Sequence, residues 1–429
     1  MTGTDESART GAGETGRGMP VLEGTGSEQS AAEAAALSLA ARQAEAAAEP
    51  AAGSEHVAAV QAQPEGEPET RRPACPSCGT EVLPDDGFCE ACGADLMVRR
   101  AAPPDTQLAP CPDCAGTAFS DGYCDNCGRL APTPRDHVER DLGTVAGITD
   151  RGLRHSRNED AMAFAVIGAD TDAPTSVVVV CDGVSTSTDP QRASQLAADT
   201  ALDQLVLDLR SGHPAFAATS GAIDAAQDAV TALADEYPDR TTAPSCTIVT
   251  AVVQHDLVTV GWVGDSRVYW LAADTSASRR LTDDDSWAGQ LITGGAVAEA
   301  EAYKAPHAHA ILRWLGPDAP PEPPHVQDFA PDGPGLVLAC SDGLWNYVWD
   351  AAELARLARA GVGTAGGAAA LTALALDGGG QDNITAVLAV YPPDPHLPPA
   401  AAAGSAGAQP PDPLAQTMEL VPSEEGNEP

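Results

Sequence analysis

Basic residues are scarce in this chain. Its 429 residues hold 23 Lys and Arg against 62 Asp and Glu, a formal net charge of -39. Nucleic acid and anionic membranes draw much of their affinity for proteins from Lys and Arg, so neither is expected as a partner. Long apolar runs are missing too: no window of about 20 residues is apolar enough to cross a bilayer. The opening MTGTDESART lacks the basic-then-apolar order of a secretion signal, and a cytoplasmic protein is expected. Residues 1–72 contain no aromatic side chain and are rich in Ala, Glu, Gly and Pro. The segment AAEAAALSLAARQAEAAAE favours transient helix but offers too little apolar bulk for a core, so this acidic arm is read as disordered. The Pro/Ala-rich tail at 392–429 is read the same way.

Cysteine, by contrast, is plentiful. Eight of the eleven cysteines fall into four C-x-x-C pairs, Cys75 and Cys78, Cys89 and Cys92, Cys111 and Cys114, Cys124 and Cys127. A C-x-x-C turn presents two thiolates to one ion at about 2.3 Å, and two such turns complete a tetrahedron. The region 73–130 therefore resembles a double zinc ribbon with two structural Zn²⁺ sites; iron in a rubredoxin-like site is the alternative, and the knuckles could also pair across the two repeats. Four thiolates per ion leave no open position for a substrate. Gly79, Gly93 and Gly128 each follow a knuckle, where a tight turn favours positive φ. Phe88 and Tyr123 are expected to plug each module. Residues 75–130 carry nine acidic side chains against three basic ones, Arg99, Arg100 and Arg129. Docking to protein, or simple stabilisation, suits that balance better than nucleic acid. The remaining cysteines, Cys181, Cys246 and Cys340, sit singly in apolar strands and read as buried small hydrophobes.

Residues 131–141 read as a linker. From 142 to 391, runs dense in Val, Ile and Thr predict strands near 142–149, 161–168, 176–182, 245–254, 257–263, 267–272, 335–340 and 384–391. Leu and Ala at three-to-four spacing predict helices at 191–210, 215–236, 351–359 and 364–376. Strand runs separated by a helical block suggest two sheets with helices outside, not the regular alternation of a parallel sheet.

Carboxylates recur at the ends of these strands. Asp182 and Asp342 each follow one, in SVVVVCDGV and LVLACSDGLW; Asp382 precedes one in QDNIT, and Glu159-Asp160 precede another in RNEDA. Asp265 lies between two strands in VGDSRV. Taken singly, each is an ordinary turn or strand start. If neighbouring strands run antiparallel, however, all of these positions converge on one rim. Converging carboxylates repel and raise each other's pKa unless cations neutralise them, and oxygen-only ligands favour Mg²⁺ or Mn²⁺. Gly183, without a Cβ, lets its carbonyl approach such an ion.

RNEDA, CDG, GDSR, LTDDDS, CSDGLW and QDNIT occur in the order found in the metal-dependent (PPM, or type 2C) protein serine/threonine phosphatases, which residues 142–391 resemble. The resemblance implies an α+β fold, a four-layer αββα sandwich of two mainly antiparallel sheets flanked by helices, and hydrolysis of phosphoserine and phosphothreonine in proteins. It implies two Mn²⁺ or Mg²⁺ ions with a water activated between them. Asp182 would bridge the ions, Gly183 would donate its carbonyl, Asp342 and Asp382 would complete the ligands of the first ion, and Glu159 and Asp160 would act directly or through water on the second and its surroundings. Asp265 matches the ligand of a third ion, and 283–314 would form a mobile flap. Expected partners are phosphorylated proteins, the substrates of a serine/threonine kinase. Two departures stand out. Val184-Ser185-Thr186-Ser187 replaces the further glycines or histidine usual after the Asp-Gly motif, and His155 stands where the family commonly has a phosphate-gripping arginine, with Arg154 as a neighbouring substitute. These departures keep open a second reading, a catalytically weak or inactive phosphatase-like adaptor recruited through its ribbons. A hydrolase acting on small phosphorylated metabolites fits the same motifs.

Overall fold

The computed structural model describes residues 75–397, apart from 76, 77, 84, 85, 103–107, 109, 112, 170, 296 and 395. The arm at 1–72 and all but the first few residues of the tail at 392–429 lie outside the described residues.

Two six-stranded antiparallel sheets stack face to face. The first runs in the order β1-β6-β7-β8-β9-β12, with β1 Val98–Arg100, β6 Ala161–Ile167, β7 Thr175–Cys181, β8 Ile248–Val253, β9 Val258–Val263 and β12 His325–Phe329. The second runs β11-β10-β13-β14-β5-β4, with β11 Arg279–Arg280, β10 Arg267–Ala272, β13 Gly335–Cys340, β14 Ile384–Tyr391, β5 Val145–Asp150 and β4 His137–Asp141. A separate short ladder, β2 Phe119–Ser120 with β3 Tyr123–Cys124, belongs to the second cysteine module.

The alternation of side chains along each strand builds three cores. In β6 and β7, Ala161, Ala163, Ala165, Val177 and Val179 face the helices α1 (Pro190–Arg210) and α2 (Ala215–Leu233). Their small size lets α1 approach closely through Ala193, Ala197 and Ala201, with Leu202 and Leu205 filling the remaining space. The opposite set, Phe164, Val166, Val178 and Val180, meets Val268, Val337 and Val387 of the second sheet. The outer face of that sheet buries Tyr269, Leu271, Leu338 and Leu388 under α6 (Ala351–Ala360) and α7 (Gly363–Asp377). Each fully buried Val or Leu contributes roughly 1.5–3 kcal/mol, so a sandwich sealed on four layers holds its strand ends firmly. Three shorter α-helices also lie among the described residues: α3 Trp287–Thr293, α4 Glu299–Ala302 and α5 Asp342–Trp345. No single helix among the described residues is long and apolar enough to cross a membrane.

Two parts of the chain differ from expectation. The stretch 131–141, expected as a linker, carries β4, which pairs with β5 from His137 opposite Asp150 to Asp141 opposite Ala146. The region 73–130, expected as ribbon alone, also contributes to the sandwich. The exit strand of its first cysteine module, β1, pairs with β6, Val98 opposite Ile167 and Arg100 opposite Ala165, and so becomes an edge strand of the first sheet.

Candidate metal centre

Strand register gathers the acidic positions. The start of β10 lies beside the end of β13, with Arg267 opposite Cys340, and Cys340 in turn lies opposite Ala386 near the start of β14. Asp265, Asp342 and Asp382 therefore share one end of the second sheet. In the first sheet the start of β6 lies opposite the end of β7, Ala161 against Cys181, which brings Asp160 beside Asp182. Hydrogen bonds across the sandwich close the two ends on each other. Ser341 Oγ and Thr385 Oγ1 each donate to Asp160 Oδ2 at 2.7 Å, and the hydroxyls of Thr247 and Ser266 lie 2.9 Å apart.

The carboxylates sense each other. Burial, and then repulsion from Asp160, Asp342, Asp382 and Asp265, pushes Asp182 well above the usual carboxylate range. Burial and then repulsion from Asp265, Asp382 and Asp160 does the same to Asp342. Asp160, buried, is raised to about 6, and Asp265, buried and next to the charge of Asp284, to about 7. Asp160 Oδ1, Asp265 Oδ1 and Asp342 Oδ1 are buried with no hydrogen-bond partner. Native proteins rarely leave such atoms unpaired. Several mutually repelling oxygens, three of them unpaired, fit hard divalent cations.

Backbone geometry around the rim is tight. A Cβ on Gly183 would lie 2.8 Å from the Glu159 carbonyl oxygen and 2.8 Å from Pro190 Cβ, and one on Gly343 would lie 1.9 Å from the Asn383 carbonyl oxygen. Both glycines after the strand-end aspartates are therefore required by crowding. Ser185, in the departing Val184-Ser185-Thr186-Ser187 segment, donates to Glu159 Oε2 at 2.8 Å. His155 Nε2 lies 3.2 Å from Asp382 Oδ1, while Arg154, on the same loop, is exposed.

Further residues organise the rim without carrying its charge. Asn383 Oδ1 accepts from Glu159 N at 2.7 Å, and its Nδ2 donates to the carbonyls of Arg151 and Arg157. Buried Asn158 donates to the Arg135 carbonyl and to Thr149 Oγ1. Arg135, inside the expected linker, donates in turn to the carbonyls of Gln191 and Asp160. Asn158, Ser341, Asn383 and Thr385 stand inside RNEDA, CSDG and QDNIT, so adjacency to the acidic residues was the signal for them; Arg135 had none.

The segment 283–314 is fixed at its roots. Arg267, wholly buried, donates to both oxygens of Asp284 at 2.9 and 2.8 Å, and its guanidinium sits 3.5 Å over the Trp345 ring. Tyr303 Oη donates to Asp284 at 2.6 Å, and Asp285 accepts from Gly264 N at 3.0 Å. Trp345 Nε1 donates to the Asp265 carbonyl at 2.9 Å, tying this packing to the rim.

The thiols form two separate tetrads, Cys75, Cys78, Cys89 and Cys92 in one and Cys111, Cys114, Cys124 and Cys127 in the other, with the sulfurs of each within 4.8 Å of one another. Sequential pairing thus replaces the cross-paired alternative, and four thiolates at that separation fit a tetrahedral zinc. All four knuckles share one turn. The amide of Gly79, Ala115 or Gly128 donates to the first cysteine's carbonyl at 2.8 Å, and that of Gly93 at 2.7 Å. Gly79, Gly93 and Gly128 have φ of 72, 74 and 73°, and Ala115 takes the same left-handed turn at 55°. Phe88 and Tyr123 are not plugs: they are 56% and 53% exposed. Modules this small bury their cysteines instead, with Cys75, Cys89, Cys111 and Cys124 almost inaccessible. Phe88 lies under the Arg210 guanidinium of α1 at 5.4 Å, and Arg210 also pairs with Asp95. Cys181, Cys246 and Cys340 are fully buried, and burial raises the Cys181 and Cys340 thiols far from reactivity.

Comparison with known proteins finds matches of two kinds. A zinc-ribbon domain family matches residues 75–96. The serine/threonine protein phosphatase PstP of Mycobacterium tuberculosis is 30% identical over 247 residues, 57% of this chain and 44% of its own length. The serine/threonine phosphatase Stp of Listeria innocua is 33% identical over 144 residues, 33% of this chain and 55% of its own. The chain thus spans about half the length of the curated relatives it matches. A crystal structure of the M. tuberculosis phosphatase PstP/Ppp overlaps 58% of this chain and 97% of its own at 28% identity, with a TM-score of 0.49.

Proposed function

We propose that this chain, a homologue of the PPM-family phosphatases PstP and Stp that also carries a zinc ribbon, hydrolyses phosphoserine and phosphothreonine in proteins. The observation that carries this reading is the convergence of five aspartates from both sheets on one rim, three of them with an unpaired buried oxygen.

In this reading Asp182, the Gly183 carbonyl, Asp342 and Asp382 hold a pair of Mg²⁺ or Mn²⁺ ions. Glu159 and Asp160 shape the surroundings of the second, and Asp265 offers a place for a third. Once bound, such ions supply a water of lowered pKa and positive charge for the phosphoryl oxygens. The chain's own residues keep that rim in shape. Ser341 and Thr385 fix Asp160, Asn383 fixes the Glu159 backbone, and Trp345 holds the Asp265 turn. His155, beside Asp382, offers a ring nitrogen to the incoming phosphoryl group. The buried thiols of Cys181 and Cys340 take no part. The two cysteine tetrads hold structural zinc, and the catalytic unit extends beyond 142–391 to include β4 and β1. The opposing enzyme is a serine/threonine kinase. No patch of basic charge suited to nucleic acid is called for, and the cytoplasm is the expected compartment.

A specific contact favours the adaptor as a second reading: Ser185 occupies one oxygen of Glu159 where the family's pattern has glycine or histidine. Assaying the protein on a phosphothreonine peptide separates the two. Turnover with Mn²⁺ that drops about 10²–10³-fold with chelator and in Asp342→Ala is expected. Equal turnover under all three conditions rejects the metal-dependent mechanism, and no turnover from a folded, Mn²⁺-loaded protein favours the adaptor.

A further inference from the structure

A cavity of about 260 Å³ opens where the end of the second cysteine module meets the loop 151–156, lined among others by Arg129, Asp136, Arg151, Arg154 and His155. In a chain with 23 basic residues against 62 acidic ones, three guanidinium groups around one small cavity are an unusual concentration of positive charge.

The single carboxylate among these residues is already engaged, since Asp136 accepts from Thr133 N at 2.9 Å and Thr133 Oγ1 at 2.8 Å. The arginines retain donors. Arg129 gives one nitrogen to Asp113 at 2.8 Å, in a pair with both side chains close to half exposed. Such exposed pairs are weak and leave most of a guanidinium's five N–H groups for another acceptor. Arg151 gives one nitrogen to the His155 carbonyl at 2.7 Å. The cavity is also anchored to the metal-centre rim. Leu153 N donates to the Gly380 carbonyl at 2.8 Å, Asn383 Nδ2 to the Arg151 carbonyl at 2.8 Å, and His155 reaches Asp382 at 3.2 Å. A ligand seated here lies one side chain away from a proposed metal ligand.

We propose that this cavity binds a second phosphoryl group on the phosphoprotein substrate, a few residues from the one being hydrolysed, and that the ribbon contributes Arg129 to it. A dianion with three oxygens suits several guanidinium forks better than a single carboxylate does. The preferred substrates are then segments phosphorylated at neighbouring sites, and the ribbon helps select them. This inference rests on the phosphatase reading for its biological sense, but its test does not depend on turnover.

Binding of phosphonate analogues of a phosphothreonine peptide to the full-length protein is measured by calorimetry. One peptide carries a single phosphonate, one set carries a second placed in turn at each neighbouring position, and a third set has Glu at those positions. At least one doubly modified peptide is expected to bind roughly tenfold more tightly than the single one. Arg129→Ala is expected to abolish that gain and Arg129→Lys to keep part of it, with the zinc content of each variant reporting an intact ribbon. Asp113→Ala, which releases Arg129 from its ion pair, is expected to raise the gain and keeps the test valid should Arg129→Ala lose zinc. No gain in any position, a gain that survives Arg129→Ala in a zinc-loaded protein, or an equal gain from Glu overturns the proposal. Absence of turnover on the singly phosphorylated peptide would count against the phosphatase reading alone.

Discussion

The thiolate sites and the carboxylate site are built in opposite ways. Each cysteine tetrad comes from one short segment and one turn used twice, and three of the eight cysteines in the two tetrads, Cys78, Cys92 and Cys127, are exposed. The carboxylates come from positions spread between Asp160 and Asp382, and two apolar sheet cores bring them together. A local turn fixes only its own backbone, so the ribbons depend on their metal to hold four sulfurs in place. The sandwich fixes its carboxylates with or without ions, and pays in repulsion when the ions are missing.

The largest effect that sharpens this contrast is catalytic. Asp182→Asn is expected to lower turnover of a phosphothreonine peptide by about 10²–10³-fold while leaving circular dichroism unchanged. In chelator at pH 8, Asp342→Asn should melt about 2–4 °C above the unsubstituted protein, because one repelling charge is gone. A lower melting point in calorimetry would mean that the rim is not preformed. Cys89→Ser is expected to do the reverse. One of two zinc ions is lost by elemental analysis, the first ribbon becomes protease-sensitive, and turnover stays within about threefold because outlying sites add nearly independently.

Acidity offers the next comparison. Carboxyls raised in the folded metal-free protein, Asp160 to about 6 and Asp265 to about 7, bind protons more tightly folded than unfolded. Their contribution to stability is thus full below about pH 4 and is lost as pH climbs through 6 and 7. Chelated protein should melt lower at pH 8 than at pH 5, and Mn²⁺ should restore more at pH 8. Identical melting shifts by Mn²⁺ at both values would break the link. A smaller effect is expected from Ser341→Ala, which removes one of the two hydroxyls on Asp160 Oδ2 and should weaken Mn²⁺ activation about tenfold. The smallest is Arg210→Ala, where an exposed ion pair and a cation–π contact with Phe88 together contribute about 1 kcal/mol, read by denaturant melting.

Much of the sandwich could be read from the chain because its central strands are apolar on both faces. The predicted runs 267–272, 335–340 and 384–391 coincide with β10, β13 and β14. The edge strands could not. HVERD in β4 and HVQDF in β12 carry mixed polar side chains because one flank meets solvent, and they lack the apolar signature that central strands share. The same divide runs through the rim. Its carboxylates stand at strand tips where register, set by the antiparallel pairing, forces them together. Their partners meet them across long stretches of chain, as Thr385 meets Asp160, and no local pattern reports such a meeting. Phe88 and Tyr123 failed as plugs because a thiol-lined module has almost no interior to fill.

The pairing of β1 with β6 gives the first ribbon a protective task. An uncovered outer strand offers a row of free amides and carbonyls on which another chain can assemble. Here residues 98–100 occupy that row, and the module just before them is held by thiolates and clasped by Arg210. Stripping the metal would therefore bare the flank of β6, so that zinc starvation would register first as self-association of the molecule.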